Sequence, residues 1–102
     1  MFRHSVRQLI KPGEFAAFTD AAKGVNAVIP KVGLPTYNLW VTLFGDANEV
    51  WAEAEYESLD KHVELWKMAQ ANDEVMTAFR AMVAHVVPGS VHDYPLQPLT
   101  LD

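Results

Sequence analysis

The sequence predicts an α+β fold: one four-stranded antiparallel sheet with helices packed against one of its faces. Three observations carry this. Phe2 to Ile10 and Glu49 to Glu57 alternate side chains with the period of two that a strand requires. Two other stretches place apolar residues at steps of three and four, the signature of an amphipathic helix. Gly45-Asp46-Ala47-Asn48 joins two strand-like segments by a turn so short that they must form an antiparallel hairpin.

In the first strand, Phe2, Val6 and Ile10 share a face with His4 and Gln8, while Arg3, Ser5, Arg7 and Leu9 take the other. Lys11-Pro12-Gly13 ends it, and Glu14 suits a helix start. The helix follows from its stripe Phe15, Phe18, Ala22, Val25 and Ile29, and Pro30, Gly33 and Pro35 close it. Tyr37 to Phe44 is the second strand, rich in aromatic and β-branched residues. In the third, Val50, Ala52, Ala54 and Tyr56 alternate with Trp51, Glu53, Glu55 and Glu57. Ser58 is a natural N-cap for a second helix with the stripe Leu59, Val63, Trp66 and Ala69. Asn72-Asp73 offers a restart, after which Val75, Phe79, Met82, Val83 and Val86 continue the apolar face to Pro88-Gly89. Ser90 to Leu96 is a last strand, which Pro95 and Pro98 confine to an edge. The order β-α-β-β-α-β is the ferredoxin-like pattern. Right-handed crossovers then arrange the strands 4-1-3-2 with the helices on one face.

The chain of 102 residues is one domain, residues 1–102, burying roughly 65% of its unfolded surface. A net charge of -5 and scattered Lys and Arg argue against nucleic acid or an anionic membrane as partner. With no cysteine, neither a disulfide framework nor a thiolate site can form, and a reducing cytoplasm is the expected location. The N-terminal stretch carries no apolar signal segment, and the uncharged run from Val32 to Gly45 is broken and too short to span a bilayer, so a soluble protein is expected.

Two helices cover only one face of such a sheet. The other carries Leu9 and Trp51 with either Trp40 and Phe44 or Leu39, Val41 and Leu43, and a soluble monomer rarely exposes so apolar a face. A second copy, sheet against sheet, is the simplest cover. Arg3 and Arg7 then share that face with Glu53 and Glu55 as cross-strand ion pairs.

Lys11-Pro12-Gly13-Glu14-Phe15, Gly45-Asp46-Ala47-Asn48-Glu49-Val50 and Tyr56-Glu57-Ser58-Leu59 together resemble the NIPSNAP-like domains of the dimeric α+β barrel superfamily. The resemblance implies a homodimer whose two sheets close into a barrel, and it attaches no general reaction. The chain departs from such domains at Val6-Arg7-Gln8 and at Ala52 and Ala54.

Four histidines, His4, His62, His85 and His92, are the obvious candidates for chemistry. None stands at a close metal-ligand spacing, so neither a metal nor another cofactor is expected. His4 and His92 lie on neighbouring strands and can approach. His85 suits a helix C-terminus, and His62, in a first helical turn, is expected in solvent. No Ser nucleophile motif or phosphate loop occurs. Ferredoxin-like relatives keep a cleft between sheet and helices, which here draws on His4, Tyr56, Trp66 and Phe79. A greasy cleft with few polar groups is the usual small-molecule site. Three readings stand: a homodimer binding a small apolar ligand; a cofactor-free monooxygenase of the antibiotic-biosynthesis type; and haem binding through one histidine. In the second, Asn38, Trp40 and Tyr56 join His4 as base and Arg7 as anion stabiliser.

Overall fold

A computed structural model describes residues 1–43 and 47–101. The elements run β1 (Phe2–Leu9), α1 (Phe15–Val28), a 3-10 turn (Ile29–Val32), β2 (Asn38–Val41), β3 (Glu49–Tyr56), α2 (Leu59–Gln70), α3 (Asp73–Val83) and β4 (His92–Leu96). The strands pair antiparallel in the order β2-β3-β1-β4, the ferredoxin-like arrangement. Phe44, Gly45 and Asp46, which include the end of the expected second strand and half of the hairpin turn, lie outside the described residues.

The register sets which residues share a face. Phe2 opposes Tyr56, His4 opposes Ala54, Val6 opposes Ala52 and Gln8 opposes Val50, and all of these face the helices. Leu39 opposes Ala52, so it joins them, while Trp40 opposes Trp51 on the outer face. That resolves the facing of β2: Trp40 points away from the helices and Leu39 toward them.

β2 is shorter than its β-rich composition suggests. Tyr37 has its N–H bonded to Asn26 Oδ1 and its C=O to Asn26 Nδ2, both at 2.9 Å. One side chain of α1 thus satisfies the backbone of Tyr37 in place of a strand partner. The 3-10 turn before it ends at Gly33, whose φ of 85° lies in the left-handed region.

The second helical stretch is divided. Ser58 caps α2 by accepting from the Lys61 N–H at 3.1 Å, and Asn72 caps α3 by accepting from the Val75 N–H at 3.0 Å. The buried stripe of α2 also differs from the expected one. Leu59 and Val63 are exposed, and His62, Leu65, Trp66 and Ala69 turn inward. Both sets step by threes and fours and share Trp66 and Ala69, so periodicity fits both faces, and burial of Leu65 decides between them.

At the other end, β4 begins two residues later than expected. Ser90 Oγ accepts from the Leu9 N–H at 3.1 Å and donates to the Val87 carbonyl at 2.7 Å, closing the ladder with a side chain. The larger core gathers Phe2, Val25, Ile29, Leu34, Tyr56, Leu65 and Val75; a smaller one holds Ile10, Phe18, Val50 and Val86.

On the outer face, Arg3 pairs with Glu55 as the alternation indicates, and Arg7 pairs with Glu49. The Trp51 ring stacks on Tyr94 at 5.5 Å between centroids. With Trp40 beside Trp51, an aromatic band crosses the outer face, and Trp40 is 58% exposed.

Candidate small-molecule cleft

Between the sheet and the three helices lies a cleft of about 510 Å³. Small side chains on the sheet make the room: Val6 and Ala52 form part of its floor, and Ala22 and Val25 of α1 a wall. Phe79 and Met82 of α3 and Trp66 of α2 supply the apolar bulk opposite. Val91 and Pro95, around and within β4, and the exposed ends of Leu59 and Val83 border it as well. Its size and mostly apolar lining are those of an ordinary small-molecule site.

One end is polar and aromatic. The His62 ring lies 5.0 Å from that of His4, 4.4 Å edge-on from Tyr56, 5.1 Å from Phe2 and 6.2 Å from Trp66, centroid to centroid. Trp66 in turn packs on Phe79 at 5.2 Å, and Tyr37 meets Phe79 edge-on at 6.5 Å. His4 Nε2 lies 2.9 Å from Oδ1 of Asp93 on β4. Four buried polar atoms in this group have no hydrogen-bond partner in the protein: His4 Nδ1, His62 Nδ1, Tyr56 Oη and Trp66 Nε1. Leaving such an atom unpaired costs about 1–3 kcal/mol.

The environment sets the charge of these groups. Burial, reinforced by the neighbouring His4 imidazole and partly offset by Asp93, lowers the His62 pKa, so its ring is neutral at pH 7. Burial raises the pKa of Tyr37, helped by its neighbour Tyr56, and raises that of Tyr56 as well. Tyr37 and the Trp66 indole come close enough to Tyr56 to moderate its shift, although neither completes a hydrogen bond to its hydroxyl. Asp93, whose side chain is 63% exposed, stands at the cleft edge.

The fold brings together His4, Tyr56, Trp66 and Phe79 from three different elements, as grouped from the sequence. It does not bring Arg7, Asn38 or Trp40 to them. All three lie on the outer face, where Arg7 binds Glu49, and β-alternation puts the sheet between Arg7 and His4. The expected approach of His4 and His92 fails for the same reason, since His92 opposes Arg7 on the outer face. His62 is corrected from a solvated residue to the centre of the cluster. His85 Nδ1 meets Glu14 at 2.9 Å, a carboxylate partner in addition to its place past a helix end. Sequence reasoning missed His62 and Asp93. The first was legible as the i−4 neighbour of Trp66; the second required the β1–β4 register.

Among the described residues, no group of three or more His, Asp and Glu is placed to hold a metal ion. No helix among the described residues is long and apolar enough to cross a membrane.

This ferredoxin-like α+β fold is shared with antibiotic biosynthesis monooxygenase structures; the crystal structure of one superposes with a TM-score of 0.74 at 13% identity, covering 98% of this chain and 100% of that one. The NIPSNAP family model matches residues 8–92, and the chain belongs to that family. An uncharacterized NIPSNAP domain protein from Burkholderia xenovorans has a TM-score of 0.84 at 13% identity, covering 100% of this chain and 98% of its own. A NIPSNAP family protein with unknown function from Agrobacterium tumefaciens gives 0.81 at 16% identity, covering 100% and 91%. Comparison with curated proteins gives no match.

Proposed function

We propose that this domain is a homodimer that binds a small, largely apolar molecule in the cleft between sheet and helices. The observation that carries the reading is an apolar cleft of about 510 Å³ whose lining includes the polar aromatic side chains His4, His62 and Trp66. The apolar walls supply the driving force and the polar end fixes orientation. The aromatic band Trp40–Trp51–Tyr94 supports the dimer, because a solvated sheet face gains from covering so much aromatic surface. Titration with biphenyl-4-carboxamide, followed by ligand-observed NMR, tests the cleft. Saturable binding that Leu39→Trp abolishes by filling the cleft from the sheet side is the expected result; absence of saturable binding rejects it.

A second reading, cofactor-free oxygenation of an electron-rich aromatic substrate, draws on the His4–Asp93 contact. A carboxylate that accepts the Nε2 proton leaves Nδ1 as the basic nitrogen, the arrangement a general base needs. Arg7 takes no part in it. Dioxygen uptake with a quinol, without added metal or flavin, is the measurement, and loss of uptake in His4→Gln is the expected outcome.

A further inference from the structure

We infer that the side-chain amide of Gln8 is a recognition group of this cleft, and that the ligand is an uncharged molecule whose head both accepts and donates a hydrogen bond there. The inference rests on the cleft reading above and deepens it to a ligand class.

Gln8 is a polar side chain in an apolar setting. It stands opposite Val50 on the helix-facing side of the sheet and lines the cleft. The residue is only 4% exposed, yet among the described residues its amide has no hydrogen-bond partner. Its surroundings give the reason. Val6 and Ile10 are its same-face neighbours along the chain, and Ala22 and Val25 of α1 wall the cleft. Neither amide atom is sealed off as His4 Nδ1 and Trp66 Nε1 are, so the amide keeps an open side, and the cleft is what Gln8 faces. A buried amide without a partner weakens a fold, and a Met here would fill similar space without that cost. The amide is therefore placed for what enters the cleft.

The chemistry of an amide sets the head of the ligand. Its carbonyl oxygen accepts, its NH2 donates, and both need partners once a ligand displaces water from them. A carboxamide or a hydroxyl serves both; a ketone serves only the NH2. Charge is excluded by the lining. None of the described residues around the cleft is a Lys or Arg, so an anionic head finds no counter-charge, and the carboxylate present, Asp93, repels it. Asp93 opposes Val6 and turns toward His4, the side of Val6 away from Gln8, so a cationic head beside Gln8 also lacks a partner. The body follows from the floor. Gln8 and His4 lie four residues apart on one face of β1, roughly 13 Å at 3.3 Å per residue, with Val6 between them. An elongated apolar body, such as two linked rings, lies over Val6 and Ala52 with its head at Gln8.

The test compares biphenyl-4-carboxamide, 4-acetylbiphenyl, biphenyl-4-carboxylate and 4-biphenylmethylamine by calorimetry at pH 7.5, on the wild-type protein and on Gln8→Met. The first two probes have nearly the same shape and differ in the N–H groups. On the wild type the carboxamide is expected to bind at least about ten-fold tighter than each of the others, a factor of ten being 1.4 kcal/mol at 25 °C. In Gln8→Met the carboxamide should lose about that factor while the ketone changes little, so the preference between them disappears. Urea titration should place the midpoint of Gln8→Met at or above that of the wild type, since the amide has no partner in the fold. A ketone, carboxylate or amine that binds the wild type as well as the carboxamide does, or a carboxamide preference that survives in Gln8→Met, overturns the proposal while leaving the cleft reading intact. A lowered midpoint in Gln8→Met assigns the amide a structural role and overturns it too. Failure of all four probes on the wild type rejects the cleft reading itself, and the Gln8 proposal with it.

Discussion

His4 on β1 and Asp93 on β4 meet at 2.9 Å although their backbones are not directly paired, since His4 opposes Pro95 and Asp93 opposes Val6. The diagonal contact spans the edge of the cleft. Because the Asp93 side chain is mostly exposed, Asp93→Asn should change folding stability by less than about 1 kcal/mol in urea titration.

His62 predicts an acid sensitivity. Its pKa in the folded protein lies below the unfolded value, so the unfolded chain binds more protons as pH falls. The stability from a neutral His62 is present above the unfolded pKa of about 6.5 and is lost as pH falls toward the folded value. Denaturation midpoints measured from pH 7.5 downward should therefore decline less steeply in His62→Gln than in the wild type. Parallel curves would show that the ring carries no such linkage.

Trp40 separates assembly from folding. It is 58% exposed on the outer face and contributes nothing to the cleft lining. Trp40→Glu should leave the far-ultraviolet circular dichroism unchanged and turn a dimer into a monomer by light scattering at micromolar concentration. An unchanged mass would mean that another surface, or none, joins the copies.

Two glycines should respond in opposite senses to alanine. At Gly33, φ is 85° and a Cβ would stand 3.2 Å from Leu65 Cδ2, so Gly33→Ala should destabilise by about 1–2 kcal/mol. Gly24 lies within α1, and beyond its own helical neighbourhood nothing stands within 4 Å of an added Cβ. Gly24→Ala should stabilise by about 0.5–1 kcal/mol through helix propensity. Urea midpoints of the two variants check both signs.

Much of the candidate site was legible residue by residue. His4 and Tyr56 followed from strand alternation, and Trp66 and Phe79 from helical spacing. The groupings were harder. Arg7 stands three residues from His4 in the chain, yet a period of two sends them to opposite faces of the sheet. Asn38 and Trp40 could be assigned only once β2 took its register against β3. His62 was hidden because the α2 sequence fits two overlapping helical stripes, and only the packing of Leu65 chooses between them.

By itself the sequence determined the order of elements, the strand arrangement and the motifs that resemble the family, because these follow from local periodicity, turn chemistry and the handedness of crossovers. Tertiary structure alone decided that His62 joins His4, that Asp93 reaches His4 across the edge of the sheet, and that Asn26 holds the backbone of Tyr37 just before β2 begins. Those contacts join residues from different elements. They depend on register, helix rotation and the room left by Val6, Ala22 and Ala52, and no local pattern of residues encodes these.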